Sequence, residues 1–430
     1  MKKGRNWVWI MGIVSFLLLI KTPLIYGWEL KEFLAPFQFS VSVQEEYNSN
    51  IFLTDKYPKH DFITNVSAGL TFLQAEKNYG IDLNFLIGYI FYAKYHDLNY
   101  LTIGPSTLNA WYALSPRLTF RVRDYIIRSD EGRESIYNAN AQQNQYLLST
   151  VRGKPAIYVR NVFEPSLDYK FGKENLFTVL YRNNYYNNQS PRFQNSMENT
   201  INPKLTYWFD IHNGVSLDYY FTYDSYEHSP DQFINGVTPR YTYRFDPRSS
   251  IFGEYHFEYQ EFQSPGIDYY VHNPSIGINY QFTPTLSGLA QVGYYWQIPA
   301  RGGKSDGPTF NLSLTQNLEK TTYTLSFVGG YTEDYVTAQN LGFTKTYALY
   351  GTIKHQLTQK MRVGLTGSVE RDSYSSERKD WVYGIWGDAS YSILKWLNAS
   401  LRASYVQDHS TLNAFTYVDY RVILGLTATF

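Results

Sequence analysis

Residues 418–430 read VDYRVILGLTATF, and the way they alternate decides how the rest of the chain is understood. Successive side chains of an extended strand point to opposite faces. Val418, Tyr420, Val422, Leu424, Leu426, Ala428 and Phe430 therefore share one face, against Asp419, Arg421, Gly425, Thr427 and Thr429 on the other. Ile423 is the only apolar residue on the second side. The strand is apolar on one side, polar on the other, and ends on an aromatic ring, a pattern with little use in a soluble enzyme. It predicts a sheet with lipid on one face and water on the other.

The composition agrees once that sheet is assumed. Aromatic residues are 18%, with Tyr 42, Phe 27 and Trp 9, yet the mean hydropathy is −0.38. A membrane β-barrel alternates lipid-facing and lumen-facing residues, so its average is polar even though one face is apolar. Tyr and Trp suit the girdles where an apolar ring meets a wet boundary. There is no Cys, so disulfide frameworks, thiolate metal sites and thiol catalysis are excluded. Lys plus Arg and Asp plus Glu are 38 each, which gives no global basic field for a nucleic acid.

Lys2, Lys3 and Arg5 precede an apolar run from Val8 to Ile20, closed by Lys21 and Pro23. The run is shorter than the ~18 apolar residues of a membrane-spanning helix, so residues 1–27 are expected to be a signal peptide cut after Gly27. No later run approaches that length, so membrane residence in residues 28–430 must come from strands. Short turns fall at 74–78, 114–117, 172–175, 210–214, 246–249, 283–285, 317–321, 357–360 and 394–396, most with Gly, Pro, Asn or Asp supplying the geometry. Longer polar connections, such as 48–59, 129–155, 187–199, 227–236, 298–308 and 374–379, alternate with them. Short turns at one end and long loops at the other are the asymmetry of an outer-membrane barrel, short turns periplasmic. The expected fold is an all-β, transmembrane, antiparallel up-and-down β-barrel of about twenty strands, eighteen to twenty on an even count.

The alternation repeats in many strands. Val215, Leu217, Tyr219, Phe221 and Tyr223 oppose Ser216, Asp218, Tyr220, Thr222 and Asp224, and Ile251, Tyr255, Phe257 and Tyr259 oppose Glu254, His256, Glu258 and Gln260. Closure into a barrel leaves no strand with unpaired backbone groups in lipid. Trp208 and Trp396, beside short turns, are expected in the periplasmic girdle, and Trp296 in the outer one.

The segment EYNSNIFLTDKYPKHDFITNVSAGL, residues 46–70, carries a box of Tyr47, Asn50, Ile51 and Phe52, then Asp61, Phe62 and Ile63, then Ala68, Gly69 and Leu70. In this it resembles the opening of the putative β-barrel porin 2 family, although that family usually has Pro where Ala68 stands. The resemblance implies an outer-membrane barrel, often linked to exopolysaccharide or capsule export. Tyr420, Val422, Leu424, Leu426 and Phe430 likewise resemble the signal read by the barrel-assembly machinery. Read from its residues alone, the box is hairpin geometry, with Asn48, Ser49 and Asn50 as turn formers.

Enzyme chemistry would need a rim carboxylate and His, as in the loop with Asp224, Glu227, His228 and Asp231, or at His60 and Asp61. His256 between Glu254 and Glu258 could hold a divalent metal, but a charged ladder facing water is the better account, because only one His is present and Cys is lacking. No catalytic residue, metal or cofactor is assigned. Alternation points Arg121, Arg123, Arg182, Arg240, Arg244, Arg362, Arg402 and Arg421 inward, with Asp82, Asp168, Asp218, Asp224, Glu254, Glu258 and Glu370. An outward charge at mid-membrane would cost ~2 to 4 kcal/mol. These arginines either bias a water-filled lumen toward anions or pair with the acids across strands. The 129–155 connection, with its NANAQQNQ core at 138–145, either folds inward to narrow the channel or lies on the surface. Inward Tyr220 suits stacking against a sugar. The expected function is passage of hydrophilic solutes, with export of an extracellular polysaccharide as its finer form. A rim hydrolase, protease or lipase, and a closed structural or adhesive barrel are the alternatives. Lipid and the assembly machinery are the expected partners, a polysaccharide a further one, and no nucleic acid; oligomeric state is not legible.

Overall fold

The computed structural model of the protein describes residues 36–129, 156–191, 193–334 and 342–430. The expected signal peptide and the 138–145 core of the longest connection lie outside the described residues. Twenty strands are described. They are β1 (Phe37–Asn48), β2 (Asp61–Ala75), β3 (Tyr79–Tyr92), β4 (Tyr100–Ser115), β5 (Leu118–Ser129), β6 (Tyr158–Phe171) and β7 (Asn175–Asn188). Then come β8 (Ser196–Trp208), β9 (Asn213–Tyr226), β10 (Gln232–Asp246), β11 (Ser249–Phe262), β12 (Tyr269–Gln281), β13 (Leu286–Pro299) and β14 (Ser305–Asn317). The set ends with β15 (Thr321–Asp334), β16 (Gly342–Gln356), β17 (Met361–Tyr374), β18 (Lys379–Leu394), β19 (Leu397–Ser410) and β20 (Tyr417–Thr429).

Each strand pairs antiparallel with the next. β20 pairs back onto β1, from Ser40 opposite Thr429 to Asn48 opposite Arg421, which closes the cylinder. Phe430 completes the seam: its N–H donates to the Phe39 carbonyl at 2.8 Å and its carbonyl accepts the Phe39 N–H at 3.1 Å. Its ring stacks on Trp396 with centroids 6.1 Å apart.

The nine short connections fall where the sequence places them, between β2 and β3, β4 and β5, and so on to β18 and β19, most of them with Gly, Pro, Asn or Asp. Gly172 takes φ +76, the left-handed conformation that other residues rarely adopt. At the β8–β9 turn Asp210 accepts the side-chain amide of Asn213 and the backbone N–H groups of Asn213 and His212, which holds its carboxyl below the ordinary value of 3.8.

The outward face carries the large exposed apolar side chains, including Val422, Leu424 and Leu426 of β20 and Leu365 of β17. The inward face changes along its length. Toward the short turns its polar side chains are exposed, as at Asp82, Lys354 and Arg402; toward the long loops they are buried, as at Glu164, Asp224, Glu258, Glu370 and Asp419. Trp208 departs from the girdle expected of it. It lies on the inward face of β8, opposite Gly214, where the missing Cβ leaves room for the indole, and the Arg244 guanidinium sits 4.0 Å above its ring. Trp296 and Trp396 do project outward.

Candidate functional site

The lumen wall is the part of this molecule that can act on a solute, and its charges come in cross-strand pairs. Near the short turns Arg121 meets Asp168 at 2.7 Å, Lys204 meets Asp218 at 3.0 Å, and Arg240 meets Glu254 at 2.8 Å. Arg244 reaches Glu174 of the β6–β7 turn at 3.1 Å. Higher up, Glu164 of β6 lies between Arg123 at 3.2 Å and Arg182 at 3.8 Å, and Arg182 also approaches Glu198 at 3.5 Å. Arg421 bonds Asp419 at 2.8 Å and lies 3.6 Å from Glu46 of β1. Arg362 donates to Gln356 at 3.3 Å, and Arg402 stands directly across from Asp388. Of the eight arginines read as a possible anion track, six thus hold a carboxylate within 4 Å.

Glu258 of β11 sits in a dense network. It accepts the Tyr220 hydroxyl and the Gln260 amide, the latter at 2.6 Å, and His256 lies 3.8 Å away. Its carboxyl also hydrogen-bonds that of Glu333, which accepts the Tyr269 hydroxyl at 2.6 Å. The Tyr220 ring lies over Gly236, directly across the β9–β10 ladder, so that face is covered by backbone and not offered to a sugar.

The box at 47–52 proves to be a loop anchor. Asn50 is 1% exposed; its Nδ2 donates to the Thr54 carbonyl at 2.8 Å and to the Val418 carbonyl of β20 at 2.9 Å, and its Oδ1 accepts the Thr54 N–H at 3.0 Å. The clamp drives Leu53, at φ +48, into the cylinder against Val382, Val406 and Tyr417 on the inward faces of β18, β19 and β20. This inward loop, residues 49–60, was not singled out as a constriction by length. Its signal is an apolar Ile-Phe-Leu run inside a polar connection.

The rim groups considered for hydrolysis are held in structural contacts. Asp61, fully buried, accepts backbone N–H groups of Phe62, Lys94 and Tyr95. His60 contacts Lys94 Nζ. Asp224 accepts the Gln232 amide, and Asp231 accepts the Tyr223 hydroxyl at 2.8 Å and the Tyr226 N–H at 3.0 Å. Glu227 and His228 approach only to 4.0 Å on the surface. His256 shares a hydrogen bond with Thr238 at 2.8 Å, while Glu254 is taken up by Arg240, Ser275 and Gln291. Among the described residues no three His, Asp or Glu side chains converge on one ion.

Comparison with known proteins fits this geometry. Residues 226–430, from the end of β9 through β20, match the family described as Putative beta-barrel porin 2. The match does not include residues 46–70, on which the sequence resemblance was read. No curated protein matches the chain. In fold it is similar to the FrpB iron transporter from Neisseria meningitidis, with 10% identity, a TM-score of 0.53, and 93% of this chain and 82% of that one covered. The siderophore receptor PirA from Acinetobacter baumannii aligns with 7% identity and a TM-score of 0.52, over 92% of this chain and 80% of that one. PirA from Pseudomonas aeruginosa does so with 8% identity and a TM-score of 0.51, over the same shares. The closed twenty-stranded cylinder, its apolar outside and charged inside, and the match of residues 226–430 to the Putative beta-barrel porin 2 family make this chain a bacterial outer-membrane β-barrel.

Proposed function

We propose that this barrel passes hydrophilic solutes across the outer membrane and that its finer role is in the export of an extracellular polysaccharide. The observation that carries the first part is the wall itself: twenty strands enclose an interior lined by polar and charged side chains. Cylinders of sixteen or more strands hold an aqueous channel unless a plug fills them. Paired charges spaced around the wall hydrate a passage without imposing a strong preference for anions, so the ion-pair network is favoured over a basic track. Inward Asn, Gln, Thr and Tyr offer neutral donors and acceptors of the kind a glycan uses, which supports the polysaccharide reading together with the family resemblance. Transport is favoured over rim hydrolysis because the candidate carboxylates serve backbone and tyrosine donors.

Single-channel conductance of the folded protein in a planar bilayer tests this, followed by addition of neutral and anionic oligosaccharides. Steady conductance that an oligosaccharide blocks is the expected result. Protein that is folded by heat-modifiable migration on a gel, yet silent, would remove the passage reading. Conductance indifferent to every glycan would remove the polysaccharide part alone.

A further inference from the structure

Near the long loops the wall is not a single layer. β14 begins at Ser305 and β15 ends at Asp334, yet their described ladder runs only from Asn317 opposite Thr322 to Phe310 opposite Gly329. Beyond it, residues 330–334 of β15 stay paired with 342–346 of β16, and residues 305–309 of β14 stay paired with β13. The break falls at Gly330, whose φ of +150 favours glycine and where a Cβ would meet Thr309 at 2.9 Å. Continuing the register would set Glu333 directly across from Asp306, and like charges so placed are destabilising. By alternation Tyr331 and Glu333 belong with Leu325 and Phe327, both exposed on the outside. Instead Tyr331 and Phe343 pack on Tyr295 of β13, with ring centroids 4.8 and 5.8 Å away, and Phe343 lies 6.1 Å from Tyr269 of β12. Tyr295 and Tyr269 are buried inward residues beside exposed outward neighbours, Tyr294, Trp296 and Tyr270. The arm made of residues 330–333 and 343–345 therefore runs inside the cylinder, in front of β14, and reaches β11.

There Glu333 meets Glu258. The two carboxyls hydrogen-bond each other, which takes a proton, because an ionised carboxyl only accepts. Glu258 already accepts the Tyr220 hydroxyl of β9 and the Gln260 amide at 2.6 Å, and His256 lies 3.8 Å away, so it suits the charged partner and Glu333 the protonated one. Tyr269 of β12 donates to Glu333 at 2.6 Å, and Tyr331 of the arm itself faces the pair. Lys345 of β16 is taken up by the Asp306 carbonyl at 2.8 Å and lies 5.9 Å over the Tyr295 ring of β13. We propose that this arm is a gate across the lumen, held on the inner wall of β11–β13 by its aromatic rings and by the proton between Glu333 and Glu258, and released when that proton leaves. Two carboxylates in contact repel, so the gate is shut in acid and free in base. A gate has a use only where solutes pass, so the proposal rests on the passage reading.

The chain has no Cys, so a single introduced thiol reports on the arm without background. Val271 is 0% exposed in the same aromatic cluster, and Ser400 is exposed on an inward position of β19 near the short turns. Val271→Cys and Ser400→Cys are made separately in the full chain, folded in detergent, and labelled with a charged methanethiosulfonate at pH 5.5 and pH 8.5. The labelling rate of Val271→Cys relative to that of Ser400→Cys is expected to rise at least tenfold from the lower pH to the higher. Added to both, Glu333→Gln, whose amide donates to Glu258 at either pH, keeps the ratio low throughout, and Phe343→Ala keeps it high throughout. An equal ratio at the two pH values in the parent pair, the same rise persisting with Glu333→Gln, or a low ratio throughout with Phe343→Ala overturns the gate. Should Glu333→Gln not fold, Glu258→Gln takes its place, a constant low ratio supporting the gate and an unchanged rise overturning it. Labelling reads the position of the arm whether or not the lumen conducts, so failure of the gate and failure of the passage are separate results.

Discussion

At the scale of single residues, the inward charges divide by how far water reaches them. Arg121 and Asp168 pair at 2.7 Å with the arginine side chain 46% exposed, so screening leaves the pair worth under about 1 kcal/mol. Glu164 is different, because its side chain has no exposure and two guanidiniums face it. Removing one member of a buried charge group costs more than the pair contributes, because the other member stays behind uncompensated. Glu164→Gln is therefore expected to cost about 2 kcal/mol, and Arg121→Gln less than half of that. Urea unfolding of both variants in vesicles, followed by tryptophan fluorescence, measures the ratio; equal costs would mean that the two halves of the lumen are equally wet. Alternation alone assigns a face to such residues, although Glu164 was not among the acids placed inward from it. Their partners were not legible, because a partner depends on register between strands, and register is set by turns whose lengths the sequence fixes only to within a residue or two.

At the scale of elements, prolines open the ladders in a repeated way. Pro165, Pro203, Pro239 and Pro274 lie on the outward faces of β6, β8, β10 and β12, and at each the pairing with the following strand is interrupted. Proline has no N–H to give, so a carbonyl on the neighbour loses its donor. In β8 the neighbour's loss is made good locally: Asn202 Nδ2 donates to the Tyr219 carbonyl at 2.6 Å and to Asp218 at 2.6 Å. Tyrosines on the strands that follow add a second tie. Tyr181 donates to Asn199 at 2.8 Å, Tyr219 to Asn235 at 3.0 Å, Tyr255 shares a hydrogen bond with His272 at 2.6 Å, and Tyr294 donates to Asp306. Asn202→Leu should cost about 1 kcal/mol, the net worth of one such bond. The same change in a Pro203→Ala background should cost less, because alanine restores the ladder N–H. A double-mutant cycle by urea unfolding checks this, and equal costs in both backgrounds would show that Asn202 does not replace the proline's missing donor. The up-and-down barrel and a count of eighteen to twenty strands could be anticipated from alternation and turn residues, and twenty are described. The Tyr and Asn belt could not, because the residues of each tie sit on different strands, and most of the tyrosines already had an adequate explanation in the girdles.

At the scale of the whole molecule, a cylinder this wide narrows only where something enters it. One described element that enters it is the loop 49–60, held by Asn50 to its own turn and to β20, with Leu53 6% exposed among Val382, Val406 and Tyr417. The ladder beneath it is independent of that clamp, since β1 and β2 remain paired from Phe37 opposite Phe72 to Asn48 opposite Asp61. Losing the clamp should therefore free the loop without opening the barrel. Truncating a buried leucine to alanine costs about 2 to 5 kcal/mol where its surroundings cannot collapse, and an aspartate in its place cannot stay among those apolar groups at all. Asn50→Ala and Leu53→Asp are both expected to keep heat-modifiable migration and to raise single-channel conductance, Leu53→Asp by more, since it expels the side chain as well as loosening the turn. If both variants fold and conduct as the wild type does, the narrowest point lies elsewhere on the wall, and the loop serves only to tie β1 and β2 to the closing strand.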